Sequence, residues 1–136
     1  MTSQPRLTIG LPVYNGEEYL AESLDALLGQ TYEDFELVIS DNASTDGTQE
    51  ICRKYATRDS RIRYLRLPRN IGATPNHNHV FAESRGELFK WASHDDLYAR
   101  DLFQLGNGLL FRVERTHCIW MVSDLLAQPR LGTLAI

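Results

Sequence analysis

Two adjacent aspartates, Asp95 and Asp96, follow directly on the apolar run 86–92 (GELFKWA), within the stretch KWASHDDLY. Side-by-side carboxylates repel, and in a half-dry site each needs a positive partner or takes up a proton. For the pair alone two readings stand open. One is a plain turn, because Asp suits strand ends and helix starts. The other is a ligand pair for a hard divalent cation, since Mg²⁺ and Mn²⁺ favour one or two carboxylates plus phosphate oxygens. Two further loops hold chemistry-bearing residues: Tyr14 and Asn15 after the run 7–13 (LTIGLPV), and Asp41, Asn42 and Asp46 in 41–47 (DNASTDG).

The elements around these loops decide whether they meet. Residues 7–13 and 35–40 (FELVIS) read as strands, as do 62–67 and 86–92. Between them, 17–28 carries Leu20, Leu24, Leu27 and Leu28 on one helical stripe with Gly29 as a stop, and 48–57 buries Ile51, Cys52 and Tyr55. Thr74 and Pro75 open a third helix, as cap and first-turn residue. Glu17 and Glu18 read as first-turn charges of the first helix. Strictly alternating strands and helices predict an α/β fold: a mostly parallel, doubly wound sheet with helices on both faces. Ligands of such sheets bind outside the carboxyl ends of the strands. That rule brings 12–16, 41–47 and 93–96 to one rim.

The rim is acidic, and the chain contains neither a Gly-x-Gly-x-x-Gly after its first strand nor a Gly-Lys-Ser/Thr. A phosphate ~4 Å from a carboxylate is repelled by roughly 4 kcal/mol near a protein surface, so a phosphorylated ligand requires an intervening cation. Tyr14 then offers a flat face to a nucleobase, and Asp41 an acceptor for a base N–H. The duller alternatives remain for several residues. Asn15, Asn42 and Asn70 also suit turns; His94 reaches a phosphate or stays a solvated loop residue; Trp91 reads as core. His77 and His79, two apart on a helix, face different ways and do not form a joint metal site.

At 136 residues the chain fits one domain, able to bury roughly two-thirds of its unfolded surface. A net charge of −4 argues against nucleic acid as partner. No apolar run approaches the ~18 residues of a membrane span, and MTSQPRLTIG lacks a leader's apolar stretch; the expected location is cytoplasmic, at most peripheral to a membrane. Cys52 and Cys118 fit no metal spacing and read as free thiols.

Taken in order, Pro12-Val13-Tyr14-Asn15, QTYEDFELVISDNASTDGT (30–48), Asn70-Ile71-Gly72, Gly86-Glu87 and Asp95-Asp96 resemble a known family. The chain is similar, over about residues 6–103, to the N-terminal, donor-binding half of an inverting family 2 glycosyltransferase of the nucleotide-diphospho-sugar transferase (GT-A-like) fold. The resemblance implies a donor site of Pro12, Tyr14, Asn15, Asp41, Asn42, Asn70 and His94, with Tyr14 and Asp41 on the nucleobase. It also implies that Asp95 and Asp96 hold Mn²⁺ or Mg²⁺ against the pyrophosphate of a UDP-type sugar donor. The reaction it implies is hexosyl transfer to an acceptor hydroxyl by direct displacement, in cell-wall or polysaccharide biosynthesis; the acceptor is not indicated. The family's Asp-x-Asp pattern has Ser93 at its first position here.

The expected domain is 1–105. Gly106-Asn107-Gly108 interrupts the last helix, and 106–136 follows no family pattern, although 118–126 (CIWMVSDLL) reads as a strand. A chain cut short or read out of frame is the expectation, with the catalytic base beyond it, since nothing positions Glu114 or Asp124 for that role. Such a chain alone binds nucleotide without transfer, and an uncovered sheet face favours self-association. The alternative is a non-catalytic nucleotide-binding remnant or subunit. A nucleotidyltransferase is disfavoured by the lack of a Gly-rich, basic first loop.

Overall fold

Residues 4–103, 111–114 and 117–119 are described by a computed structural model of the chain. β1 (Leu7–Val13) is buried at all seven positions, as is β2 (Phe35–Asp41). Strands buried on both faces must be covered on both, which is why parallel sheets carry helices above and below. β1 and β2 pair in parallel from Leu7 opposite Phe35 to Val13 opposite Asp41. β3 (Ile62–Arg66) extends the sheet beside β2, and β4 (Leu88–Trp91) beside β1, both parallel. β5 (Phe111–Glu114) and β6 (His117–Ile119) add antiparallel strands, giving the order β3-β2-β1-β4-β5-β6.

α1 (Leu20–Leu28) and α2 (Thr48–Arg58) lie on one face, where Leu20, Leu24, Leu27 and Cys52 close on Leu7, Ile9, Leu11, Leu37 and Ile39. α3 (Ala73–Ala82) covers the other, its Val80 set directly against Gly10. There Phe89 meets Phe81 and Trp91 edge-on, with ring centroids 5.0 and 4.9 Å apart, so the half-buried Trp91 packs against the buried Phe89. This is the α/β, mostly parallel, doubly wound architecture expected from the sequence. Among the described residues no helix is long and apolar enough to cross a membrane. Burial pushes the Cys52 thiol up to about 12.

Several boundaries move, each for a local reason. α1 begins at Leu20 rather than residue 17, because Glu17 is drawn away: its carboxylate Oε2 accepts the Gly47 N–H at 2.6 Å. Glu17 therefore serves the start of α2, and the first-turn acid of α1 is Glu22. α3 begins one residue before Thr74, so Thr74 is inside the helix and is not its cap. Gly72 stands at the cap with φ 92°, a conformation glycine adopts without steric cost. The fourth strand starts at Leu88, two residues late, since the backbone at Gly86 turns to let its N–H reach Thr8 Oγ1 at 2.8 Å. Of the candidate strand 118–126, Cys118 and Ile119 belong to β6; the remainder, with Asp124 and the 106–108 interruption, lies outside the described residues.

Gly86 is pressed on backbone: a Cβ there would sit 2.6 Å from Thr8 N and 2.8 Å from the Leu7 carbonyl carbon. A methyl cannot be absorbed by a rotamer change, so Gly86→Ala should destabilise by about 1–3 kcal/mol, the usual cost of overpacking. Urea unfolding monitored by circular dichroism checks this. An unchanged midpoint would show that β1 and β4 tolerate separation at this point.

Candidate functional site

Parallel pairing puts the carboxyl ends of β1, β2 and β4 on one rim, and the loops leaving them are stitched together by short polar side chains. Asn15, at φ 49°, donates its N–H to Ser44 Oγ at 2.9 Å and accepts the Thr45 N–H on Oδ1 at 2.8 Å. Gly16 N–H donates to Thr48 Oγ1 at 2.9 Å. Asn42 is buried; its Oδ1 accepts the Ile71 N–H at 2.8 Å, while Nδ2 donates to Asn70 Oδ1 at 3.0 Å and to the Gly72 carbonyl at 3.1 Å. The three asparagines thus do more than form turns. They tie the loop after β1 to that after β2, and that after β2 to the segment before α3.

Asp41 closes β2 with a fully buried carboxylate. Oδ1 accepts the Ser44 N–H at 2.9 Å, and Oδ2 accepts the Tyr64 hydroxyl at 2.7 Å and Arg66 Nη1 at 2.8 Å. Burial by itself pushes this carboxyl up; the hydrogen bonds from Ser44, Tyr64 and Arg66 outweigh it and hold it below the usual value. Asp46 is likewise engaged internally, accepting the Thr48 N–H at 3.0 Å and the Glu17 N–H at 3.2 Å.

A cleft of about 370 Å³ opens at this rim. Of the residues proposed from sequence, Pro12, Tyr14, Asn42, Asn70 and His94 line it; Asn15, Asp41, Asp95 and Asp96 do not. Tyr14 is 44% exposed, so one ring face is open to a planar ligand. The lining also includes Ser93, on the 93–96 loop that the sequence brings to this rim, together with Gly72, Asn76 and His77, which sequence reasoning did not name as site residues; among the described residues it contains no Lys or Arg. Asn76 is buried, its Nδ2 donating to the Ser40 carbonyl at 3.0 Å while its Oδ1 accepts the Ser40 hydroxyl at 2.6 Å. A helical Asn four residues before the apolar Val80 on the inward face was the available signal. His77 and His79 do diverge: His77 Nδ1 donates to the Ala73 carbonyl at 2.8 Å, and His79 Nδ1 turns to Ser40 Oγ at 3.1 Å.

The aspartate pair projects from a turn after β4, and both residues are exposed. The Ser93 hydroxyl donates to Asp95 Oδ1, and this bond is the first cause of an Asp95 carboxyl held below its ordinary range. Behind the pair, Ser23 Oγ lies 2.9 Å from the His94 carbonyl and 2.6 Å from that of Asp96. The Tyr98 hydroxyl accepts the Ser93 N–H at 2.7 Å. Among the described residues no group of three or more His, Cys, Asp and Glu forms a protein-only metal cage. An ionised, outward-facing Asp95 with Asp96 beside it instead fits a cation completed by ligand oxygens.

A family model for glycosyl transferase family 2 matches residues 8–106. An uncharacterized glycosyltransferase of Rickettsia typhi is 37% identical over 97 residues, which is 71% of this chain and 29% of that protein. The mannosyltransferase PcManGT from Pyrobaculum calidifontis, solved with GDP-Man and Mn²⁺, superposes with a TM-score of 0.70 and 29% identity, covering 77% of this chain and 32% of its own. S. aureus TarS residues 1–349 with UDP-GlcNAc gives 0.68 and 27%, covering 73% and 29%. The chain spans less than a third of the length of each of these three.

The buried Asp41 carboxylate carries a pH signature. With its folded value below the unfolded one, its stabilisation is complete above the usual carboxylate range and is lost as pH falls through the lowered value. Asp41→Asn should destabilise the chain by about 1–3 kcal/mol at pH 7. The gap to wild type should shrink steadily as pH is lowered below about 4. Paired urea titrations from pH 7 to 2.5 measure it; a gap independent of pH would show that the charge on Asp41 is not what holds Tyr64 and Arg66.

Proposed function

The chain belongs to glycosyl transferase family 2, and from that premise we propose that its described fold is a donor-binding half that holds a UDP-type sugar with a divalent cation, Mn²⁺ or Mg²⁺, for inverting hexosyl transfer to an acceptor hydroxyl. The observation that carries this reading is one arrangement at the rim. An exposed aromatic, Tyr14, lines a cleft that among the described residues has no Lys or Arg, and the ionised Asp95 stands on the turn whose Ser93 and His94 line the same cleft. The described lining offers a nucleoside diphosphate no cationic side chain to face its phosphates, and a divalent cation on Asp95 and Asp96 would balance that charge. The relatives solved with UDP-GlcNAc and with GDP-Man and Mn²⁺ support the same ligand class.

In this reading Tyr14 stacks on the base, while the asparagine-stitched loops keep Pro12, Asn15, Asn42 and Asn70 in one frame around ribose and base. Asp41, buried beneath the cleft with Oδ1 on the Ser44 N–H, acts on the base side only by fixing the loop at Ser44, not by accepting from the base as the sequence suggested. His94 lies at the phosphate end, and Asp95 and Asp96 bear the cation. When bound, the cation supplies positive charge opposite the leaving diphosphate. Displacement breaks the bond between the anomeric carbon and the phosphate oxygen as the acceptor oxygen attacks from the opposite face, which inverts the centre. The acceptor's proton needs a base within hydrogen-bond reach. In this assignment none of the four rim carboxylates serves as that base: Asp41 and Asp46 accept internal bonds, and Asp95 and Asp96 are given to the cation.

Three outcomes follow from this assignment. By calorimetry UDP should bind more tightly with Mn²⁺ than in chelator, and Asp95→Asn should remove most of that difference; an affinity indifferent to chelator would defeat the cation role. Tyr14→Ala should weaken UDP by about 1–3 kcal/mol, the usual worth of a base–aromatic stack, equally with and without Mn²⁺. Incubated with sugar nucleotides and acceptors, the 136 residues should show at most slow donor hydrolysis; an acceptor-dependent glycosylated product, detected by mass spectrometry, would place a base within this chain.

A further inference from the structure

Ser23 interrupts the apolar inward stripe of α1 formed by Leu20, Leu24 and Leu27, and at 1% exposure it is as buried as they are. A buried hydroxyl costs free energy unless it is paired. A helical serine ordinarily satisfies itself on the carbonyl one turn back. Ser23 instead aims at a turn more than seventy residues away, with Oγ 2.9 Å from the His94 carbonyl and 2.6 Å from the Asp96 carbonyl. Those two carbonyls belong to the peptide planes that bracket Asp95 and Asp96. One hydroxyl proton shared between them holds the backbone on both sides of the carboxylate pair.

The rest of the turn is anchored further from the carboxylates. The Tyr98 phenol joins the N–H and carbonyl of Ser93. Gln30 Nε2 donates to the Ala99 carbonyl at 2.6 Å, and the Thr31 N–H to the Arg100 carbonyl at 2.7 Å. The turn therefore lies along α1 and the residues that follow it, and Ser23 is the contact beneath the aspartates themselves. Both carbonyls point inward to it, which leaves the Asp95 and Asp96 side chains to face outward.

We propose that Ser23 is a positioning residue: its hydroxyl sets the backbone of the 93–96 turn so that Asp95 and Asp96 present their carboxylates to a divalent cation shared with the donor's phosphates. This rests on the cation-dependent donor reading above and adds to it a residue that touches neither donor nor cation. Outer contacts that orient metal-bearing groups typically contribute 10–100-fold to metal affinity. The base side of the cleft, built on Tyr14, Asn42 and Asn70, does not depend on Ser23.

The test compares wild type with Ser23→Ala in the full chain, using UDP as probe with Mn²⁺ or in chelator, and counting free Mn²⁺ by electron paramagnetic resonance. Ser23→Ala should cut the Mn²⁺-dependent gain in UDP affinity about tenfold while leaving the affinity in chelator within about twofold of wild type. Amide hydrogen exchange without ligand should quicken across 93–98 and stay unchanged in β1 and β2. If alanine unfolds the chain, Ser23→Cys keeps the volume with only a weak donor and is read the same way. A wild type without any Mn²⁺-dependent gain overturns the donor reading and this inference with it. A normal gain in wild type that the variant retains overturns the role of Ser23 alone. Equal losses with Mn²⁺ and in chelator reduce Ser23 to a general packing residue and also overturn it.

Discussion

A buried charge organises the rim. Asp41 sits opposite Val13 at the last pairing of β1 with β2, where the sheet stops and the loops begin. Its two oxygens receive donors from the loop that follows it and from β3: the Ser44 amide, the Tyr64 phenol and the Arg66 guanidinium. A carboxylate without solvent is tolerable only when such donors surround it. The same interaction fixes where Ser44 stands, and Ser44 Oγ in turn accepts the Asn15 amide, so the loop bearing Tyr14 takes its position from a charge one strand away. Remove that anchor and the two loops lose their common reference, even with every strand in place.

The sheet's two faces are built on different principles. Towards α1 and α2 the contacts are almost wholly apolar, and a packed aliphatic core resists compression without specifying direction. Towards α3 the strands offer Thr8, Glu36 and Ser40, each buried and each bonded. Thr8 Oγ1 donates to Glu36 Oε1 at 2.7 Å, and the same Glu36 oxygen receives the Arg85 N–H at 2.8 Å. Ser40 and Asn76 exchange a pair of bonds. Hydrogen bonds are directional where hydrophobic contact is not, so α3 is set in one rotation against the sheet. That rotation brings Asn76 and His77 to the cleft.

How much of this was legible from the residues depends on where each residue's partner lies. The strands LTIGLPV and FELVIS declare themselves because a buried parallel strand needs apolar residues in unbroken runs. Tyr14, Asn42, Asn70 and His94 were legible because the end of a strand in an α/β sheet is a defined place, and the motif order set them there. Glu17 was misread because local charge near a helix start is a good rule until a partner thirty residues on, the Gly47 amide, outbids it. Thr74 looked like a cap, but the left-handed backbone at Gly72 starts the helix earlier. Ser23 and Asn76 carried only a general signal: a polar residue in an apolar stripe shows that some partner exists, and the fold alone says which.

The single thiol among the described side chains, that of Cys52, lies in the apolar seam between α2 and the sheet, fully shielded and with its ionisation displaced to about 12. Thiol chemistry proceeds through the thiolate, so the closed molecule offers alkylating reagents and peroxide neither access nor a reactive species. Modification of Cys52 must wait for α2 to part from the strands beneath it. The residue is therefore a built-in chemical clock: the pace of its alkylation records how often that helix lifts.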